Sequence, residues 1–166
     1  LLNGPILRLR SSENVATNIA YFRLSPFKLS SNILSIDFVL TKQSGSSSGS
    51  LRVASTNCKW DPLKVTFNSK PRQFAILGSS SVPIGDAVQI RVPLDVSEIV
   101  AQSLNVLCLS LEYFAHDGYL EFETKGIYID VKRVFHESKV PPYVSEAIAP
   151  AGYGPVEYSA EIPISK

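Results

Sequence analysis

Strict alternation of apolar and polar side chains is the feature that most narrows what this chain can fold into. From Asn32 to Thr41, Leu34, Ile36, Phe38 and Leu40 fall on one face and Ser35 and Asp37 on the other, the period of two of a strand with one buried face. Val88, Ile90 and Val92 alternate in the same way with Gln89 and Arg91, and Leu107, Leu109, Leu111 and Tyr113 with Cys108, Ser110 and Glu112. Leu120 to Glu123 and Ile127 to Val134 continue the series around Lys125-Gly126, and Ile6 to Leu9 and Ile19 to Arg23 add strands near the start of the chain. Short strands at regular intervals with turn residues between them predict an all-β chain, a jelly-roll β-sandwich.

Connections can be read as well. Lys42 to Ser50, Lys-Gln-Ser-Gly-Ser-Ser-Ser-Gly-Ser, holds no large apolar side chain and reads as a flexible loop closing a hairpin between Asn32–Thr41 and the short strand Leu51–Ser55. Asp95-Val96-Ser97-Glu98 has the spacing of a capping box, which predicts a short helix from Val96 to about Ser103 that covers one end of the sandwich through Val96, Ile99 and Val100, with Leu104 just beyond. After residue 136 the chain turns to Val140-Pro141-Pro142-Tyr143 and Ala149-Pro150-Ala151-Gly152-Tyr153-Gly154-Pro155. Residues 1–136 are therefore expected to form the sandwich domain, and 137–166 an extended tail, arm or linker.

Composition excludes several classes of function. The 166 residues suffice for one domain that buries roughly 70% of its unfolded surface. Sixteen basic residues against fifteen acidic ones leave a net charge of +1, so no overall field draws the chain to nucleic acid. No run approaches the ~18 apolar residues of a membrane-spanning helix, and direct membrane insertion is not expected. With no Met, the chain reads as an excised or mature segment, with further domains expected in the same polypeptide. Cys58 and Cys108 are too few for a disulfide framework or a four-cysteine zinc site. One bridge between them and two buried free thiols both remain open. No Asn-x-Ser/Thr acceptor occurs.

Two stretches together resemble the DNRLRE domain family. Trp60-Asp61-Pro62-Leu63-Lys64-Val65-Thr66-Phe67-Asn68-Ser69-Lys70-Pro71 is similar to that family's run of Trp, polar spacer, Thr-aromatic pair, Asn and Pro, and Val92-Pro93-Leu94-Asp95-Val96-Ser97-Glu98-Ile99-Val100 to its Val-Asp-Val-Thr segment opening a short helix. Tyr21-Phe22-Arg23-Leu24 and Asn32–Leu40 match two of its strands, so the likeness runs from about Val15 to Val134. Phe67 stands where a second Trp is common and Ser97 where Thr is usual. The resemblance implies a non-catalytic jelly-roll module related to carbohydrate-binding modules, extracellular or at the cell surface, in some relatives able to bind acidic polysaccharide. It makes Trp60, Phe67, Asn68, Pro71, Asp95 and Glu98 structural. A more distant likeness to the propeptide sandwich of growth-factor precursors keeps protein partners in view.

No residue pattern demands catalysis. His116 and His136 have no second ligand at a metal-binding spacing, the run Ser44 to Ser50 lacks the Lys and following helix of a phosphate cradle, and no Cys-His signature places a nucleophile. Glu121 and Glu123 share a strand face, alternating with Leu120 and Phe122, and read as solvated charges rather than an acid/base pair. Trp60, beside Cys58, reads as a core plug. Arg8 and Arg10 share a face, and beside Lys132 or Arg133 they would form a basic strip suited to an acidic polysaccharide, or else solvated edge charges. The richest candidate for ligand contact is Tyr113, Phe114, His116, Asp117 and Tyr119, with Asp117-Gly118 read as a hairpin turn and the aromatics as sugar-stacking or partner-anchoring groups. The alternative at that place is a cross-strand Tyr113–Tyr119 pair. No cofactor is expected, and calcium stays open because its several oxygen ligands cannot be gathered from sequence. The expected function is that of a binding module for glycan within a larger secreted or surface protein. A protein-interaction or structural domain is the alternative, and a viral capsid jelly roll a third.

Overall fold

Alternating residues become alternating environments in the computed structural model, which describes residues 6–24, 33–59, 70–102, 106–134, 143–148, 156–158 and 162–163. The elements are β1 (Ile6–Ser12), β2 (Val15–Ala16), β3 (Asn18–Leu24), β4 (Ile33–Gly45), β5 (Ser50–Thr56), β6 (Gln73–Ser81), β7 (Val88–Leu94), α1 (Val96–Gln102), β8 (Leu107–Phe114), β9 (Asp117–Glu123), β10 (Tyr128–Val134), β11 (Tyr143–Ile148), β12 (Val156–Tyr158) and β13 (Ile162–Pro163). They build an all-β, sandwich-like fold of curled antiparallel sheets with one short helix. One sheet runs β11-β10-β4-β9-β1-β2, with β7 also on β4, and the other runs β12-β3-β8-β5-β6, with β13 also on β3. Among the described residues after 136 are three short strands, β11 along β10 and β12 and β13 along β3.

The core lies between the sheets. Leu7 and Leu9 of β1, Ile36, Phe38 and Leu40 of β4, and Leu120 and Phe122 of β9 meet Phe22 of β3, Leu51 and Val53 of β5, and Leu109 and Leu111 of β8. Phe22 and Phe38 touch edge to face across the layers, with ring centroids 5.3 Å apart, a geometry that adds about 1 kcal/mol to what their burial contributes. Lys42 continues the face of Phe38 and Leu40 and is fully buried, its Nζ donating to the Pro83 carbonyl at 3.2 Å.

Sequential strands do not pair where the sequence suggested. β4 and β5 lie in different sheets, so Lys42–Ser50 does not close a hairpin. Its first part, to Gly45, prolongs β4 into a 13-residue strand. That strand pairs with β7 on one side and, in succession, with β10 and β9 on the other. The remainder is pinned: Ser46 N–H donates to Tyr119 O at 2.8 Å, Val82 N–H to Gly49 O at 3.0 Å, and the Tyr113 hydroxyl to Ser48 O at 2.8 Å. β8 and β9 are likewise split between the sheets, so Asp117-Gly118 begins a strand after a crossing and turns no hairpin. A tight turn is found instead between β1 and β2, with Glu13 and Asn14 at φ 54° and 63°, the left-handed pair that such turns require.

The helix forms at the predicted cap. Asp95 Oδ1 accepts from the Glu98 N–H at 3.2 Å and from the Ser97 hydroxyl at 2.7 Å, while the Asp95 N–H donates to Leu77 O at 2.8 Å. Ile99 is buried as expected, but Val100 points outward and does not cover the sandwich end, because it lies ~100° around the helix from Ile99. Leu104, at the expected end of this segment, falls outside the described residues.

The Ser97 hydroxyl, and after it the Glu98 N–H, hold the Asp95 carboxyl below its ordinary range. A lowered folded-state pKa favours the charged form, so its contribution is present above the unfolded value of about 3.9 and is lost as pH falls through the folded value. Asp95→Asn, which keeps the cap acceptor, is expected to flatten the loss of stability below about pH 4. Urea denaturation at a series of pH values checks this, and identical pH profiles for the two proteins would refute it.

Candidate functional site

β1 and β9 pair in a register that sets Arg8 opposite Glu121, Arg10 opposite Tyr119 and Ser12 opposite Asp117. Their alternates Leu7, Leu9, Leu120 and Phe122 are buried, so these groups share the outer face of the first sheet. Arg8, Arg10, Ser11, Ser12, Thr17, Asp117, Gly118 and Tyr119 line a shallow concavity of about 430 Å³ there.

The concavity is held from behind. Arg8 Nε donates to Glu121 Oε2 at 2.9 Å, and the Arg8 guanidinium carbon stands 5.1 Å from the Tyr119 ring centroid, within reach of a cation–π contact. Ser44 Oγ donates to Glu121 Oε1 at 2.7 Å. That bond first, and Arg8 second, keep the Glu121 carboxyl below its ordinary range. Buried Asn18 clamps β1, accepting from Arg10 N–H at 2.7 Å and donating to Arg8 O at 2.8 Å. Tyr119 is fixed through its backbone, its N–H donating to Ser46 Oγ at 3.2 Å while its carbonyl accepts from Ser46 N–H. Tyr119 as a residue remains 42% exposed. An exposed tyrosine on an ordered backbone, with the Arg8 guanidinium over its ring and Arg10, Asp117 and Ser12 along the same concavity, combines an apolar surface with hydrogen-bonding groups of both senses.

Of the five candidate ligand residues, Asp117 and Tyr119 come together here. Tyr113 is fully buried between the sheets, so it belongs to the core and neither contacts ligand nor pairs with Tyr119. Phe114 lies on the second sheet, with the Arg52 guanidinium carbon 4.5 Å from its ring centroid. His116 is exposed at the crossing, its carbonyl accepting from Glu13 N–H. Arg8 and Arg10 do not join Lys132 or Arg133, because β10 and β9 lie in succession along β4: Lys132 is opposite Ser35, whereas Glu121, the partner of Arg8, is opposite Ser44. Among the structural assignments, Pro71 is buried and Asp95 and Glu98 open α1, whereas Trp60, Phe67 and Asn68, like His136, fall outside the described residues.

The second sheet is unlike the first, because its middle strands are buried on both faces. Outward-facing Ser110 and Glu112 of β8 are buried beneath a network in which Gln73 Nε2 donates to Ser110 Oγ at 3.0 Å and to Glu112 Oε1 at 2.9 Å, and Arg52 Nη2 donates to the same carboxylate oxygen at 3.0 Å. Burial, and then the Glu112 charge, push the neighbouring Tyr21 phenol well above its ordinary value. Tyr21, Gln73 and Glu112 line a smaller concavity of about 250 Å³ with Ile19, Lys70, Pro71 and Arg72. Cys58 and Cys108 are joined in a disulfide, with Cα atoms 5.5 Å apart, that ties the segment after β5 to β8. The alternative of two free thiols is thereby set aside.

Gly45-Ser46-Ser47-Ser48-Gly49 has the spacing of a nucleophile elbow, but it runs from one strand to another, whereas that elbow leads from a strand into a helix. Among the described residues no three His, Cys, Asp or Glu side chains converge as metal ligands, and no helix is long and apolar enough to cross a membrane. Neither a family model nor a curated protein matches the chain.

Proposed function

We propose that this domain is a non-catalytic extracellular module of a larger secreted or surface protein and that it recognises glycan on the outer face of β1 and β9. The observation that carries this reading is the exposed Tyr119 on a doubly hydrogen-bonded backbone, with Arg8, Arg10 and Asp117 around it. A pyranose ring stacks its C–H face on such an aromatic, and its hydroxyls both donate and accept, which matches a rim of guanidinium and carboxylate groups. Fixing the platform before binding reduces the ordering cost of association. The Cys58–Cys108 bond suits an oxidising compartment, and the resemblance to DNRLRE domains points the same way.

A glycan array followed by calorimetry on the strongest ligand tests the proposal. Tyr119→Ala is expected to weaken binding about tenfold, equivalent to about 1.4 kcal/mol, with an unchanged unfolding midpoint. Phe114→Ala, on the other sheet, is expected to leave affinity unaltered. An array without a specific ligand, or equal affinities for the parent and Tyr119→Ala, would remove the glycan reading.

A further inference from the structure

The outer face of the second sheet holds a buried carboxylate with an unused oxygen. Ile19 and Tyr21 of β3 alternate with Ala20 and Phe22, which belong to the core between the sheets, so the first pair faces outward. Tyr21 stands opposite Ser110 of β8, and Glu112 follows two residues along on the same face. Glu112 is only 6% exposed. Lys70, Pro71 and Arg72 lead into β6 beside these groups, and Asn57 N–H ties that strip down by donating to Arg72 O at 3.1 Å. The concavity of about 250 Å³ lies where the strip meets the sheet.

Both donors to Glu112, Gln73 Nε2 and Arg52 Nη2, go to Oε1. Among the described residues none donates to Oε2. That oxygen is not sealed in, because the one fully buried side-chain polar atom without a partner among those residues is Arg52 Nε. Glu112 Oε2 therefore opens to the concavity that Glu112 lines, with acceptor capacity that a donor would satisfy. Arg72 complements it: its carbonyl is engaged by Asn57, but its exposed guanidinium has no partner among the described residues.

We propose that this concavity binds a small hydroxycarboxylate, whose carboxylate meets the Arg72 guanidinium and whose hydroxyl donates to Glu112 Oε2. Charge selects this chemistry. Arg52 Nη2, 3.0 Å from Glu112 Oε1, already balances the buried carboxylate, and Lys70 and Arg72 add two positive charges around the opening. An ammonium group or a metal cation would meet that excess, whereas an anion relieves it, and a guanidinium holds a carboxylate through two parallel hydrogen bonds. The donor to Oε2 needs no charge of its own, so a hydroxyl suffices. Burial first, and the Glu112 charge second, keep the Tyr21 phenol protonated, so it adds no negative charge against the ligand. The volume falls below the roughly 300–1,000 Å³ of sites for drug-sized ligands, which sets the occupant as a small molecule. The site lies on the sheet opposite Tyr119, so it stands or falls independently of glycan binding there.

D-Gluconate titrated to about 20 mM into the isotope-labelled protein is expected to shift the amide signals of Arg72 and Gln73, with a dissociation constant on the order of 1 mM. D-Glucitol, which lacks the carboxylate, and hexanoate, which lacks the hydroxyls, should each bind about tenfold more weakly or not at all. D-Glucosaminate, with an ammonium in place of one hydroxyl, should also bind more weakly. Arg72→Gln should weaken D-gluconate about tenfold and preserve the urea unfolding midpoint, while Tyr119→Ala should leave this affinity unaltered. No shift with D-gluconate, equal binding of D-glucitol or hexanoate, or a parent affinity in Arg72→Gln overturns the proposal. Tighter binding of D-glucosaminate overturns it equally and makes the concavity a site for an amino acid.

Discussion

Cys58→Ser combined with Cys108→Ala is expected to lower the unfolding free energy by about 4 kcal/mol, the chain-entropy value for freeing a closed loop of this length. The two cysteines are 50 residues apart in sequence, so the bond removes many conformations from the unfolded chain. At about 2–4 °C per kcal/mol for a chain of this size, the melting temperature should fall by roughly 10 °C. Buried Cys108 lies on β8, the middle of the second sheet, and Arg23 of β3 reaches over to donate to Cys58 O at 3.3 Å. The loss should therefore appear as global unfolding and not as fraying of one edge. Urea denaturation of the oxidised parent, the reduced parent and the double variant checks this. Coincident curves would show that the bond contributes nothing to stability.

Gly45→Ala is expected to cost about 3 kcal/mol or more, combining a backbone conformation unfavourable to side chains with forced overpacking. Gly45 sits at φ +122°, and an added Cβ would lie 2.3 Å from the Tyr119 carbonyl oxygen and 3.0 Å from Leu120 Cα. Both obstacles are backbone, so no side chain can swing aside to relieve them. Tyr119 would have to move, and the variant should lose any affinity that the proposed Tyr119 surface supplies, although Gly45 is not among the residues lining the concavity. Stability is read by urea denaturation and the displacement by hydrogen exchange at the Tyr119 amide. A Gly45→Ala protein with the parent midpoint and the parent exchange rate would refute the close approach.

The strands that alternate cleanly were legible because their periodicity marks which face meets the core, although the polar face of Leu107–Tyr113 is buried as well. Asn32–Thr41, from Ile33 onward, and Val88–Val92 and Leu107–Tyr113 fall inside observed strands, and the Asp95 cap opens the observed helix. β6 was not legible, because Phe74-Ala75-Ile76-Leu77 is an unbroken apolar run and the ladder slips at two places, between Val53 and Ala54 and between Ser55 and Thr56 of its partner. Local turn chemistry misled where the decisive contact is distant. Gly45 and Gly49 resemble linker glycines, yet each is packed against backbone near Tyr119 or Phe114. Asp117-Gly118 resembles a hairpin turn, yet β9 finds its partners in β1 and β4. Of the candidate site, Tyr119, Asp117 and the shared face of Arg8 and Arg10 could be read from spacing. The positioning roles of Asn18, Ser44 and Ser46 could not, since each depends on which strands become neighbours.

The pairing of β1 with β9 also governs how the chain comes to be folded. Arg8 and Glu121 meet across 113 residues, so Leu7 and Leu9 are synthesised long before the strand that shelters them exists. At synthesis rates of about 5–20 residues per second, that interval is on the order of ten seconds. Contacts this remote make assembly slow, and they leave the apolar face of β1 uncovered while the chain up to β9 is being made.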